Sequence, residues 1–178
     1  MKYRENRRTG DKISEIGMGT AYIAEAERSE AVKTVRHAYE SGINYYDLAA
    51  GDGAAFAIFG EALSDVRDEV MYQIHFGSDY YKGSYGWTLN LDTVKRSVDK
   101  QLKDLKTDYI NYGFIHCQDE SKDWEMYQKN GILQYLLDMR DQGGGETHRC
   151  IVPHTFRDTA DFEYRPHRYA DVLGKSCI

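Results

Sequence analysis

A short apolar run at residues 42–47, with the sequence GINYYD, stops abruptly on the carboxylate of Asp47. Its length and its β-branched and aromatic residues are typical of a buried strand. The segment before it, residues 29–41, has helical spacing and places Ala31, Val35 and Ala38 on one face. A helix that leads into a buried strand favours a parallel α/β fold. Reactive groups in such folds lie at the carboxyl ends of the strands, so the pattern places Asp47 where chemistry is expected.

The same strand–helix pattern occurs four times along the chain. Strands are predicted at residues 13–19, 42–47, 70–76 and 109–116, and helices at residues 29–41, 54–63 and 91–105, with a fourth helix that bends near Asn130 and ends near Gln142. Four units are half of an eight-unit barrel, and 178 residues fall short of the roughly 250 that a closed barrel needs. The sequence therefore predicts an α/β fold: a partial (β/α)8 TIM barrel of about four N-terminal units over residues 1–142, plus an irregular tail.

Several local signals refine this outline. Ser29 is the predicted N-cap of the first helix, and Gly42 is predicted to end it. Asp52 lies between two glycines, which is typical of a turn. Residues 78–87 are rich in Tyr and Gly and are predicted to form a long loop of the kind that carries function.

Composition narrows the classes of function. The net charge of −6 argues against nucleic acid or an anionic membrane as a partner, because their phosphates would be repelled. No apolar run approaches the ~18 residues of a membrane span, and the first residues contain no apolar signal core. The three cysteines, Cys117, Cys150 and Cys177, form no Cys-x-x-Cys pair. We therefore predict a cytoplasmic protein with no disulfide framework and no metal site.

Several ordered motifs resemble the aldo/keto reductase family over about residues 13–142. They are GINYYD at residues 42–47, the pair Gly19-Thr20 after the first strand, and TDYI at residues 107–110 leading to Ile115-His116. The motifs QIHFG at 73–77 and GFIHC at 113–117 resemble a bacterial subgroup. Many of its members carry a C-terminal iron–sulfur module, but this chain lacks the cysteine cluster for one, so no iron–sulfur cluster is expected.

The resemblance implies a catalytic set of Asp, Tyr, Lys and His that passes a hydride from NADPH to a carbonyl group. Asp47 matches the Asp and His116 matches the His. Asp52 stands where the family has the Tyr, and His75 where it has the Lys. A carboxylate such as that of Asp52 donates a proton at neutral pH only if burial raises its pKa strongly. An imidazole such as that of His75 is better suited to act as an acid.

The resemblance also implies where a cofactor would bind. NADP(H) would be contacted at its nicotinamide end by Gly19, Thr20 and Asp47, whereas the family binds the phosphates and adenosine mainly with its second half. Weak or absent binding is therefore expected.

The same residues also have structural interpretations. Asp47 and Asp52 could each stabilise a turn, and His116 could be a hydrogen-bonded core histidine. The predicted function is an NADP(H)-dependent oxidoreductase that acts on a small carbonyl substrate, impaired or inactive because of the two replacements and the missing second half. The alternative is a non-catalytic half-barrel that self-associates or binds a partner, because unpaired strand edges favour pairing.

The composition changes in residues 143–178. Both prolines, Pro153 and Pro166, lie there, and the hydrophobic periodicity ends at Gln142, where a fifth strand is due. A linker or second domain is one explanation. A frameshift is another: reading residues 145–155 from the second base of each codon permits Val-Lys-His-Ile-Gly-Ala-Ser-Ser-His-Thr, which resembles the family's fifth strand. If so, the tail was never selected to fold on the barrel and is predicted to be poorly ordered.

Overall fold

A parallel sheet covered by helices forms the centre of the protein. The computed structural model describes residues 1–7, 9–118 and 120–142. The strands are β1 (Tyr3–Glu5), β2 (Lys12–Ser14), β3 (Met18–Gly19), β4 (Tyr45–Leu48), β5 (Met71–Phe76), β6 (Ser78–Asp79), β7 (Gly86–Trp87) and β8 (Tyr112–Ile115). The helices are α1 (Arg28–Glu40), α2 (Ala54–Leu63), α3 (Leu91–Asp104), α4 (Ser121–Lys129) and α5 (Ile132–Gln142). The central strands lie in the order β3-β4-β5-β8 and all pair in parallel, which agrees with the predicted α/β architecture.

The two faces of this sheet differ in character. Successive residues of a strand point to opposite faces. One face packs on the helices through fully buried side chains: Tyr46, Leu48, Tyr72, Ile74 and Phe76 from the strands, Val35 from α1, Phe56 and Phe59 from α2, and Val94 and Val98 from α3. The opposite face carries Tyr45, Asp47, Gln73, His75, Tyr112 and Phe114, with aromatic contacts between Tyr45 and Tyr112 and between His75 and Phe114. The polar groups that could do chemistry therefore share the face that points away from the helices.

A buried arginine ties together the amino ends of β5 and β8. The guanidinium of Arg67 donates to the Thr107 hydroxyl, the Val70 carbonyl, the Tyr109 carbonyl and Asn111 Oδ1, at 2.8–3.0 Å. We call these five residues the Arg67 network. The guanidinium also lies 3.8 Å from the centre of the Tyr109 ring, and it is only 8% exposed. It holds the segment before β5 against the segment before β8.

The first predicted strand, residues 13–19, is wrong in its extent. The structure divides it into β2, which pairs with β1 in an antiparallel hairpin, and β3, which belongs to the parallel sheet. The division follows from side-chain hydrogen bonds: Ser14 N donates to Asn44 Oδ1 at 2.8 Å, and the Ser14 hydroxyl donates to the Ile16 carbonyl at 2.7 Å. Such bonds compete with the strand ladder and turn the chain between the two strands.

Other boundaries also differ from the prediction. The predicted cap Ser29 is wrong, since Glu27 accepts hydrogen bonds from the backbone N–H groups of Ser29 and Glu30 and α1 begins at Arg28. The strand predicted at 109–116 forms its ladder only over Tyr112–Ile115, and the predicted loop 78–87 contains the small hairpin β6–β7. The predicted bend at residue 130 is confirmed by the break between α4 and α5, where Gly131 has a φ of +77°.

The predictions for residues 143–178 lie outside the described residues. In the part of the chain that the structure does describe, no helix is long and apolar enough to cross a membrane.

Candidate functional site

The carboxylate of Asp47 and the imidazole of His75 meet near the carboxyl ends of β4 and β5. Asp47 Oδ1 lies 2.8 Å from His75 Nε2. His75 is buried, with 8% of its side chain exposed, whereas 45% of the Asp47 side chain is exposed. The imidazole is therefore enclosed by protein while the carboxylate faces an open space.

Gln73, on the same face of the sheet, indicates which group is the donor in the hydrogen bond between Asp47 and His75. Gln73 Nε2 donates to Asp47 Oδ1 at 2.9 Å, and Gln73 Oε1 accepts the hydroxyl proton of Tyr45. Burial, together with the nearby charge of Asp47, raises the pKa of Tyr45 above its ordinary value, so Tyr45 stays a donor. Gln73 Nε2 and His75 Nε2 lie 3.1 Å apart because both approach the same carboxylate oxygen. His75 Nε2 accordingly carries a proton, which it donates to Asp47.

The contact continues from His75 to a second histidine and then to a tyrosine. His75 Nδ1 lies 3.2 Å from His116 Nδ1, and His116 Nε2 lies 2.8 Å from the Tyr85 hydroxyl. Because His75 donates through Nε2, its neutral form accepts at Nδ1, so His116 carries its proton on Nδ1. The remaining nitrogen, His116 Nε2, then accepts from Tyr85. We call Asp47, His75, His116 and Tyr85 the relay, because the position of the proton on one member determines the position of the proton on the next member.

The backbone of His116 is held from two sides. Its N–H donates to the Phe76 carbonyl at 2.9 Å, which extends the β5–β8 pairing by one residue, and its carbonyl accepts from the Tyr127 hydroxyl of α4. Trp87 Nε1 donates to the same Tyr127 hydroxyl at 2.9 Å. Cys117 follows with a φ of +47°, a left-handed conformation that ends the strand direction. The His116 ring is therefore positioned by β5, α4 and the β6–β7 hairpin together.

Tyr85 reaches His116 because two loops pair with each other. Gly53 N donates to the Gly83 carbonyl at 2.5 Å, Tyr85 N donates to the Gly51 carbonyl at 3.1 Å, and an antiparallel bridge joins Asp52 to Ser84. The Asp52 carboxylate is turned to its own chain and accepts from Ala54 N at 2.7 Å, at the start of α2. Asp52 is exposed, and its side chain stabilises the turn. The backbone of its loop pairs with the loop that carries Tyr85.

The residues predicted to contact a cofactor lie beside the carboxylate. Gly19 pairs with Asp47 across the β3–β4 ladder, and the buried Thr20 hydroxyl lies 3.5 Å from the Asp47 carbonyl. A Cβ added at Gly19 would find no heavy atom within 4 Å. Gly19 therefore leaves open space beside the half-exposed carboxylate.

The structure thus brings together three of the four candidate catalytic residues, Asp47, His75 and His116, and leaves Asp52 in its turn. Sequence reasoning did not assign Gln73 to the site, and it placed Tyr85 only within the loop at residues 78–87 that was predicted to carry function. Gln73 could have been found, because strand alternation places it on the same face as His75. Among the described residues, no group of three or more His, Cys, Asp or Glu side chains is arranged to hold a metal ion.

Comparison with known proteins agrees with the fold. Residues 15–144 match the model of the aldo/keto reductase family. An uncharacterized oxidoreductase of Bacillus subtilis, YqkF, is 29% identical over 134 residues, which cover 69% of this chain and 44% of that protein. The L-galactose dehydrogenase of Arabidopsis thaliana is 28% identical over 118 residues, which cover 62% of this chain and 36% of the enzyme. The chain therefore spans less than half the length of these relatives.

Solved structures share the fold. An aldo-keto reductase of Bacillus halodurans, in its holo form, has a TM-score of 0.64 and 21% identity, and the match covers 85% of this chain and 50% of that one. An aldo/keto reductase of Klebsiella pneumoniae in complex with NADP and acetate has a TM-score of 0.58 and 21% identity, covering 85% and 49%. The match of the family model over most of the chain, with this fold, shows that the chain belongs to the aldo/keto reductase family.

Proposed function

We propose that this protein is an NADP(H)-dependent oxidoreductase that interconverts a small carbonyl compound and its alcohol. The observation that carries the proposal is the contact of Asp47, His75 and His116 at the carboxyl ends of three neighbouring parallel strands. In a barrel of this family that end is where the active site lies.

Different residues would hold the cofactor and contact the carbonyl oxygen. Gly19 and Thr20, beside Asp47, would hold the nicotinamide end of NADPH, which supplies a hydride to the carbonyl carbon when bound. His116 Nε2 accepts from the Tyr85 hydroxyl in the neutral ring, so this nitrogen orients the carbonyl oxygen only when it carries a proton. Asp47 and His75 hold the His116 ring in one tautomer, so that this nitrogen and not Nδ1 faces the substrate side.

We expect turnover to be lower than in relatives with the full set of Asp, Tyr, Lys and His. A lysine ammonium beside the catalytic tyrosine lowers its pKa, whereas His75 is bonded to Asp47 and His116 instead. The replacement removes a permanent positive charge from the site, and stabilisation of the developing oxyanion weakens accordingly.

The test uses the full chain. NADPH is titrated by its fluorescence, and the loss of NADPH absorbance is followed with 4-nitrobenzaldehyde as the carbonyl probe. We expect weak NADPH binding, because the family binds the phosphates and adenosine mainly with its second half, and a slow, carbonyl-dependent loss of NADPH. His116→Asn should abolish the turnover, whereas His37→Asn, at an exposed histidine of α1, should not change it. No fluorescence change together with no carbonyl-dependent oxidation would sink the proposal.

A second candidate function is self-association without catalysis. In the described part of the chain, β3 pairs only with β4 in the parallel sheet, and β8 pairs only with β5. Strand edges of this kind recruit other strands. We expect a dimer or larger species in light scattering. A monodisperse monomer with a cooperative thermal transition would contradict this candidate.

A further inference from the structure

The family's proton-donating tyrosine is absent from its usual place, and the structure puts another tyrosine at the site. The hydroxyl of Tyr85 lies 2.8 Å from His116 Nε2, and the Tyr85 side chain is 43% exposed. One carbonyl oxygen can therefore lie within hydrogen-bond reach of both His116 Nε2 and the Tyr85 hydroxyl. We propose that Tyr85 is a catalytic residue that gives the proton to the carbonyl oxygen. This inference rests on the function proposed above.

The position of Tyr85 is set by the loop at residues 51–53, where Asp52 stands in place of the family's tyrosine. The backbone of residues 51–53 pairs with that of residues 83–85 through two hydrogen bonds, which together form the Asp52–Ser84 bridge. Tyr85 also packs on the buried ring of Tyr80, with the ring centres 6.1 Å apart, and Tyr80 packs on Phe56 at 4.9 Å. The tyrosine is thus anchored to α2 and to the Asp52 loop, so its hydroxyl is held beside His116 rather than left on a free loop.

The hydrogen-bond directions in the relay provide a source for the proton. With both histidines neutral, Tyr85 donates to His116 Nε2. A proton taken up from solvent at Nε2 reverses this bond: Nε2 donates to the phenol oxygen, and the Tyr85 O–H is released toward the substrate.

The proton transfer then balances. As the carbonyl oxygen becomes negative, the Tyr85 O–H bond breaks and an O–H bond forms on the product. Tyr85 regains a proton from His116 Nε2, and His116 returns to its neutral form. One proton leaves the imidazolium and one appears on the alcohol, which with the hydride completes the two-electron reduction.

Asp47 and His75 act in this scheme as positioning residues. They keep the proton of neutral His116 on Nδ1, so that Nε2 is the nitrogen that exchanges protons with Tyr85. Gln73 holds the Asp47 carboxylate oxygen in place through its amide.

The test compares the full-length protein with Tyr85→Phe and with Tyr81→Phe, a matched control at an exposed tyrosine of the same loop. With NADPH and 4-nitrobenzaldehyde, we expect Tyr85→Phe to lower kcat by about 100-fold or more, as for loss of a general acid. Its KM should change by less than about threefold, because the lost interaction forms in the transition state. Tyr81→Phe should match the unmodified protein.

A second readout does not depend on turnover. Nitrogen NMR of the histidine rings should show His116 protonated at Nδ1 in the unmodified protein. In Tyr85→Phe, only the Nε2 resonance of His116 should move, while the thermal transition stays the same.

The outcomes separate the inference from the proposed function. If the unmodified protein oxidises NADPH with the aldehyde and Tyr85→Phe is as fast or faster, Tyr85 only covers the site and the inference is overturned while the proposed function stands. If His116 Nε2 does not respond to Tyr85→Phe, the inference is overturned as well. If the unmodified protein neither binds nor oxidises NADPH, the proposed function fails and the inference with it.

Discussion

Two polar networks lie at opposite ends of β5, and they are built differently. Before its amino end, the guanidinium of the Arg67 network is buried, and it donates to four acceptors that belong to the protein. Near its carboxyl end, the relay runs from a half-exposed Asp47 to a Tyr85 that is 43% exposed. The first network is closed on itself, whereas both ends of the second reach an accessible surface.

The difference shows how one strand serves stability and chemistry at once. Three of the four Arg67 hydrogen bonds, to Thr107, Tyr109 and Asn111, join two segments that must meet for the sheet to form. Burial lowers the pKa of the guanidinium without removing its partners. The relay contributes less to holding the fold, because its terminal groups are accessible to water and can exchange hydrogen bonds with it. Substitutions in the first network should therefore unfold the protein, and substitutions in the second should disable it.

The largest effect is expected from Arg67→Met. The change leaves the Val70 and Tyr109 carbonyls and Asn111 Oδ1 without a donor that they have now, so the free energy of unfolding should fall by about 3 kcal/mol. Urea denaturation followed by circular dichroism measures it. Arg96→Met, at an exposed arginine of α3, is the control and should stay within about 0.5 kcal/mol of the unmodified protein. Equal stability of the two variants would break the comparison.

The next largest effect is expected from Asp47→Asn, which should lower activity strongly and stability only slightly. An amide at this position no longer fixes the proton of His75 on Nε2, so carbonyl reduction should fall by about 100-fold, equivalent to about 2.7 kcal/mol in activation free energy. The free energy of unfolding should change by less than about 1 kcal/mol, because the carboxylate is half exposed. Steady-state kinetics and urea denaturation on one preparation check both. A large loss of stability would show that the relay is also structural.

A smaller effect is expected from Tyr112→Phe. Tyr112 is the first residue of β8 and lies on the face of the sheet that points away from the helices. The Tyr112 hydroxyl donates to Asp11 Oδ2 at 2.8 Å and lies 3.3 Å from Asn6 Nδ2, which ties the β1–β2 hairpin to the sheet. Loss of the hydroxyl should cost about 1 kcal/mol in unfolding free energy. Thermal denaturation measures it, with Tyr22→Phe at a 76% exposed tyrosine as the control. Activity per folded molecule should be unchanged, and a fall in kcat would contradict the separation of the two ends.

The smallest effect is the dependence of stability on alkaline pH. Burial raises the pKa of Tyr112 to about 12, against ~10 for a tyrosine in the unfolded chain. The folded state holds this proton more tightly, so its contribution to stability is complete below pH ~10 and is lost as the pH rises through about 12. The urea concentration at the midpoint of unfolding, measured at pH 8, 10 and 11, should decrease as the pH rises. They should fall less steeply in Tyr112→Phe; an identical slope would contradict the assignment.

The carboxyl ends of the strands could be located from the sequence because their signals are local. Asp47 and His116 each follow a short apolar run, and His75 lies within one. The buried face of α1 was largely predictable: of the three residues that share it by helical spacing, Ala31 and Val35 are fully buried and Ala38 is half-buried.

Long-range contacts could not be predicted in this way. Tyr85 reaches the site only because the backbone of residues 83–85 pairs with residues 51–53, about thirty residues earlier in the chain. The division of residues 13–19 into two strands depends on Asn44, which is equally remote in sequence. In both cases the deciding hydrogen bonds join segments that no local pattern relates.

The pairing of the Asp52 loop with the Tyr85 loop has a consequence for how the sequence can change over time. If a tyrosine at position 85 supplies the proton, selection no longer requires one at position 52, and the two positions become genetically coupled. A chain with tyrosine at position 52 should tolerate any residue at 85, and a chain like this one should tolerate many at 52 but few at 85. Because the bridge between Asp52 and Ser84 holds the two loops side by side, point mutations alone would then be enough to exchange a tyrosine at position 52 for one at position 85.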